Sequence, residues 1–284
     1  MLRSWMFVPG ADDRKIEKSF DLDCDVLIFD LEDAVADGEK DAARRKVKEA
    51  LGRMAGSKPC YVRINFMPSP FFEKDLEWMV DRHTRGIVLP KVESAEQIRL
   101  VHELIGMLER KNGVVPDALE LVPMIETARG LHHSYEIASA SPRVRRLAFG
   151  SLDFCRDIGA APSDDGTELL YARSMLVVNS RAAGIEAPID TVFVRVKDEA
   201  GLIREAGLAR QLGFRGKLLI HPAQIGPVHA VFRPSGEEVQ WARFVLSAYE
   251  KALQKGEAAV LVDGSMVDLP VVERARKILQ YGGR

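Results

Sequence analysis

The sequence predicts an α/β protein: a (β/α)8 TIM barrel followed by a C-terminal helical extension. Three observations carry that reading. Short apolar runs of strand length alternate with longer amphipathic stretches, the pattern of crossover βα units around a parallel sheet. About eight such units fall within about 230 residues, which suits a closed barrel better than an open sheet. Two carboxylates, Glu126 and Asp153, each follow an apolar run, and strand C-terminal ends are where barrels do chemistry. The expected division is a barrel over 1–232 and an extension over 233–284, the latter a lid or a subunit-swapped arm.

Trp5–Val8 reads as the first strand, followed by a helix over Asp12–Phe20. Val26–Phe29 is the second strand, ending at the acidic Asp30-Leu31-Glu32-Asp33, and a charged helix covers Glu39–Met54. Tyr61–Ile64 forms the third strand, near Arg63 and Asn65, with a helix at Phe71–Asp81. Gly86–Leu89 is the fourth, closed by Pro90-Lys91. Ser94–Glu109 then repeats Ile98, Val101, Leu104, Ile105 and Leu108 at helical spacing, with Ser94 placed as N-cap. Leu119–Ile125 and Arg146–Phe149 are the fifth and sixth strands, flanking a helix around Gly130–Ala140. A loop over Ala160–Gly166 precedes a helix at Glu168–Ala183. Ile189–Val194 is the seventh strand, Glu199–Leu212 a helix, and Gly216–Ile220 the eighth strand, ending at His221-Pro222. Ser235–Leu253 reads as one amphipathic helix, with Ser235 and Glu238 in capping-box spacing. Ala258–Val262 is a strand with a turn after it, and Val271–Leu279 a closing helix.

A net charge of −2 over 284 residues gives no electrostatic case for nucleic acid or an anionic membrane surface. No apolar run reaches the ~20 residues of a spanning helix, and the N-terminus lacks the apolar region of a signal peptide. Cys24, Cys60 and Cys155 form neither a metal-spaced cluster nor an even disulfide set, so they read as buried thiols in a reducing cytoplasm. The six histidines show no helical His-x-x-x-His spacing; His132-His133 reads as structural and His221 as a support at the eighth strand end. No G-x-G-x-x-G follows a strand, so a dinucleotide site is unsupported.

Glu126 and Asp153 supply two hard oxygen ligands, which with water and substrate is how Mg²⁺ is usually held. Read singly, each is equally a carboxylate in the first turn of a helix, favoured by the macrodipole. Arg63 is a candidate clamp for a substrate carboxylate through two parallel hydrogen bonds; it is equally a partner for Asp30, Glu32 or Asp33. The backbone amides of Gly150, Ser151 and Leu152 lead into a helix N-terminus and could hold the same carboxylate.

Eight motifs in order resemble the citrate lyase β-subunit-like family of acyl-CoA lyases, within the HpcH/HpaI aldolase/citrate lyase superfamily. They are Arg3-Ser4 with Phe7-Val8-Pro9-Gly10; Asp30-Leu31-Glu32-Asp33-Ala34-Val35; Val62-Arg63-Ile64-Asn65; Leu89-Pro90-Lys91; Ile125-Glu126-Thr127; Phe149-Gly150-Ser151-Leu152-Asp153; Gly216-Lys217 with Ile220-His221-Pro222; and Asp263–Pro270. Ser265 departs from the pattern, where many family members carry Lys.

The resemblance implies a Mg²⁺-dependent retro-Claisen cleavage of a 3-hydroxyacyl-CoA thioester of citramalyl-, malyl- or citryl-CoA type, giving acetyl-CoA and a 2-oxo acid. It implies Glu126 and Asp153 as metal ligands, and Asp268 as general acid/base over an adjacent subunit's site, sheltered by Met266, Val267 and Leu269. Glu32, Asp33 and Lys91 would line the mouth, with Lys91 supporting a carboxylate network. Arg3, Arg14, Lys15 and Lys18 are candidates for the CoA phosphates, or simply solvated cations. The expected form is a cytoplasmic homo-oligomer, trimer or hexamer. Two alternatives stand beside it: a metal-dependent 2-oxo acid aldolase acting on free acids, and a non-catalytic subunit of a larger lyase complex.

Overall fold

The computed structural model describes residues 1–254 and 256–282, which form two compact units, Leu2–His229 and a second beginning at Ala230. The first is the predicted barrel. Its strands are β1 (Ser4–Pro9), β2 (Val26–Asp30), β3 (Cys60–Arg63), β4 (Gly86–Leu89), β5 (Glu120–Ile125), β6 (Ala148–Phe149), β7 (Ile189–Asp190) and β8 (Gly216–Leu219). Each pairs in parallel with the next, and β8 returns to β1 through Trp5↔Leu218 and Met6↔Leu219. The strands are buried along almost their whole length, which is why they read as continuous apolar runs rather than as alternations.

Side chains alternate across a strand, so every second residue enters the barrel. The interior layers are Trp5 and Phe7, Val26 and Ile28, Tyr61, Val88, Val122 and Met124, Ala148, Ile189 and Leu218. Two residues further along these strands come Pro9, Asp30, Arg63, Glu126, Gly150, Thr191 and Ile220, all of which line one cavity. Strand periodicity alone thus lifts these residues from the core into the mouth.

The helices form where the sequence caps them. Asp12 accepts from Lys15 N, Ser94 and Gln97 form a capping box, and Thr127 and Asp198 accept from Gly130 N and Gly201 N. His221 caps its turn with Gln224, the support role expected of it. The helix expected around Gly130–Ala140 is two short ones, Ala128–His132 and Ser134–Ser139, meeting at His133. The sixth and seventh strands are shorter than expected: past Asp190 the chain leaves the ladder, and Thr191 bonds Ser151 instead. A helix at Ile225–Phe232 was not expected. Proline is tolerated there because the first turn needs no N–H donor.

β6 and β7 touch through a single register pair, Ala148↔Ile189. A buried ion set sits at the next joint. Asp190 on β7 faces Lys217 on β8 in register, with Nζ 2.7 Å from Oδ2; Arg173 Nε donates to Asp190 Oδ1 at 2.8 Å, and Glu205 accepts from Lys217 at 2.5 Å. At the strand N-terminal ends, away from the mouth, Arg146 bridges Glu120 and Glu186 beneath Trp5, and Tyr61 donates to Glu120 at 2.7 Å.

The second unit contains the helices Gly236–Gln254 and Leu269–Gly282 with a hairpin, β9 (Val260–Val262) and β10 (Ser265–Val267). Asp263 and Gly264 both have positive φ, as a two-residue hairpin turn of the Asp-Gly kind requires. Ser235 and Glu238 exchange both bonds of the expected capping box. Ala242, Val245, Tyr249, Val262, Val267, Val272 and Ala275 form its core.

Candidate active site

The barrel mouth holds a cavity of about 360 Å³ lined by Phe7, Asp30, Asp33, Arg63, Glu126, Gly150, Ser151, Asp153 and Thr191, among others. On its β1–β4 side lies a dense charge network. Arg63 grips Asp30 with two bonds, Nε to Oδ1 at 2.7 Å and Nη2 to Oδ2 at 2.6 Å. Its Nη1 stands 3.1 Å from Glu32 and 3.4 Å from Asp33, and Phe7 packs under the guanidinium. Burial opposes the Arg63 charge, but Asp30, Glu32 and Asp33 outweigh it and hold the pKa above its ordinary value. Lys91, at positive φ, sends Nζ to Glu32 at 2.6 Å. Lys91 and Glu32 form an ion pair.

Glu32 reaches this network because its own turn is clamped from behind. Lys40 Nζ donates to the Leu31 and Glu32 carbonyls and to Asn65 Oδ1, at 2.7–2.8 Å. Sequence reading passed over Lys40, since a lysine on a charged helix looks like any solvated one; here it is buried.

Glu126 and Asp153 line the same cavity as Arg63 and its acidic partners Asp30 and Asp33. Glu126 is buried, and burial first, then the nearby Glu32 and Asp153 charges, pushes its pKa up to about 7. Its Oε2 accepts from Lys91 N at 2.8 Å. A Cβ on Gly150 would lie 2.3 Å from Glu126 Oε1, so glycine is what lets this carboxylate lie over the β6 end. Asp153 sits in the first turn of the helix Ser151–Ile158 and pairs with the exposed Arg156 at 2.6 Å. Both carboxylates also border a second cavity of about 520 Å³ with Phe66, Lys91 and Arg156.

This donor set fits a hard divalent cation. The carboxylates are oxygen ligands, and for Glu126 burial and the neighbouring Glu32 and Asp153 charges outweigh what Arg63 and the Lys91 amide give its ionised form. Among the described residues no group of three or more His, Cys, Asp or Glu is arranged as a metal cage, so water and substrate would complete the coordination.

The expected cradle of three backbone amides is corrected by their geometry. Gly150 N already donates to Ile125 O at 3.0 Å and Ser151 N to Thr191 Oγ1 at 3.1 Å, which leaves the Leu152 amide. Thr191 was missed because it belongs to no motif, although counting by twos from the core residue Ile189 reaches it. Arg3 is likewise corrected: it precedes β1, at the end away from the mouth, and is held by Asp25 through three bonds. Arg14, Lys15 and Lys18 lie on the helix that follows β1. Asp268 belongs to the second unit, just before the helix Leu269–Gly282, and its carbonyl accepts from Val272 N. The expected shelter is partial: Val267 is buried, while Met266 and Leu269 are exposed.

The profile of the HpcH/HpaI aldolase/citrate lyase family matches residues 3–222, the whole barrel mouth included. The chain belongs to this family. Citrate lyase subunit beta of Leuconostoc mesenteroides subsp. cremoris is 41% identical over 98% of this chain and 92% of its own length. Mitochondrial citramalyl-CoA lyase of Mus musculus is 35% identical, covering 98% and 85%. A solved structure of CitE from Mycobacterium tuberculosis, in complex with magnesium, acetoacetate and coenzyme A, superimposes with a TM-score of 0.80 at 31% identity, covering 99% and 98%. As a member of the HpcH/HpaI aldolase/citrate lyase family with relatives of this kind, the protein is a carbon–carbon lyase of the CoA-ester type.

Proposed function

We propose that the protein cleaves a 3-hydroxyacyl-CoA thioester of the citramalyl-, malyl- or citryl-CoA type into acetyl-CoA and a 2-oxo acid, with Mg²⁺ held by Glu126 and Asp153. The observation that carries this is the buried Glu126 carboxyl, which lines one cavity with Asp153 and Arg63 at the strand ends of the barrel. Relatives bearing the names citramalyl-CoA lyase and citrate lyase subunit beta, and a fold neighbour with magnesium and coenzyme A bound, support the same reading.

Mg²⁺ bound there supplies Lewis acidity to the substrate's hydroxyl and carboxylate oxygens. The chain's own residues do the rest. Arg63, fixed by Asp30, presents its remaining N–H groups to the substrate carboxylate. Asp268, supplied by an adjacent copy in a homo-oligomer, takes the hydroxyl proton. The O–H electrons form the new carbonyl, the C–C pair passes to the acetyl thioester as its enolate, and a proton returned to that carbon completes acetyl-CoA. Lys91 and Glu32 hold the mouth's acidic side in register.

The protein works in this account as a cytoplasmic trimer or hexamer. No described helix is long and apolar enough to cross a membrane. The test is turnover with Mg²⁺ on the three thioesters. Formation of acetyl-CoA from at least one is expected; turnover of free hydroxy-oxo acids with none of the thioesters would move the assignment to an aldolase of free acids. The relatives named as a subunit keep a second reading in view, a component of a larger lyase complex. Activity of the isolated chain decides against it.

A further inference from the structure

Thr191 and Ser151 face each other in the mouth, both buried, with Oγ1 and Oγ 2.8 Å apart. Thr191 Oγ1 also accepts from Ser151 N at 3.1 Å. Both residues line the cavity that holds Glu126, Asp153 and Arg63. Counting protons fixes what the pair can do. It carries three donors: the Ser151 N–H and two hydroxyl protons. The N–H is spent on Thr191. One hydroxyl proton lies between the two oxygens, whichever residue gives it. Among the described residues neither hydroxyl has a further partner, so one O–H is left over, and the open cavity is the place for its acceptor. The amide dipoles at the N-terminal turn of Ser151–Ile158 and the Arg63 charge in the same cavity favour an anionic oxygen, against the Glu126 and Asp153 carboxylates, whose charge a cation held there would offset.

We infer that the Ser151–Thr191 hydroxyl pair is a substrate-binding element that donates one hydrogen bond to a carboxylate oxygen of the 2-oxo acid half of the substrate. This rests on the reading of the mouth given above. The pair is redundant by construction. With Thr191 truncated, Ser151 keeps its O–H; with Ser151 truncated, Thr191 keeps its own and still anchors the amide. Only loss of both hydroxyls removes the donor.

Pyruvate, the oxo acid released from a citramalyl thioester, is the probe. Its affinity is measured by titration calorimetry with Mg²⁺ present, alongside kcat and KM for citramalyl-CoA. Ser151→Ala and Thr191→Val should each weaken pyruvate by less than about fivefold, while the double variant should weaken it by about 10- to 150-fold, the range for a hydrogen bond to a charged group. Free CoA should bind all of them alike. Ser151→Ala/Thr191→Ser, which keeps one hydroxyl in place, should match the single variants, and it tests the count even if the double truncation folds poorly. Pyruvate affinity in the double truncation equal to the singles, or a tenfold loss in Ser151→Ala/Thr191→Ser, overturns the assignment. Wild-type protein that cleaves no thioester yet shows the predicted pyruvate pattern overturns the lyase reading and leaves the hydroxyl pair standing.

Discussion

Glu126 shows how a single residue reports on the site. Its folded pKa of about 7 lies above the ordinary 4.5, because burial and then the Glu32 and Asp153 charges disfavour the anion. The fold therefore prefers Glu126 protonated. The stability this gives is complete below pH 4.5 and is lost as the pH rises through about 7. Metal-free Glu126→Gln should accordingly match wild type near pH 4 and exceed it by about 3 kcal/mol at pH 8, read from denaturant unfolding. Equal stability at pH 8 would mean that the carboxylate is not charge-frustrated. At this scale the sequence was legible where a strand end carried a charge. Glu126, Arg63 and Glu32 stand out as polar residues after apolar runs. Lys40 and Thr191 do not, because a buried lysine on a charged helix and a threonine after a two-residue strand look ordinary until their partners are known.

At the scale of elements, the strands read correctly wherever the apolar run was long. β1 to β5 fall within a residue or two of their expected ends. β6 was overextended at its start, where Arg146 turns to Glu120 and Glu186, and β7 at its end, where Thr191 turns to Ser151. Their shortness puts weight on the buried ion set at the β7–β8 joint. Asp190 pairs with both Arg173 and Lys217, none of the three exposed to solvent, and Glu205 supplies the second negative charge. Burial acts against the Asp190 anion, but Lys217 and Arg173 prevail and hold its pKa below the usual carboxylate range. Asp190→Asn would leave two buried cations with only Glu205 between them. A loss of about 3–5 kcal/mol in urea unfolding is expected; a loss under about 1 kcal/mol would show that water or rearrangement satisfies them. A hydropathy pattern could not reveal this set, because charged residues inside strand runs carry no signal of whom they face.

For the whole molecule, the family motifs made the barrel and its chemistry legible together, while the role of the second unit depends on assembly. Asp268 lies in that unit, and the proposed mechanism has it serve the mouth of an adjacent copy. Subunit mixing tests this. Glu126→Gln and Asp268→Asn homo-oligomers should each be inactive, and dissociating and reassembling them at equal amounts should restore about one quarter of wild-type activity, the share of sites with both residues intact. No recovery in verified hybrids would place Asp268 outside the neighbour's chemistry. The central claim is that the mouth breaks a carbon–carbon bond and leaves the thioester whole. The product balance from citramalyl-CoA with Mg²⁺ tests it most directly. The account predicts acetyl-CoA and pyruvate in equal amounts with no free CoA thiol, and loss of both products with EDTA; free thiol accumulating with intact citramalate would contradict it.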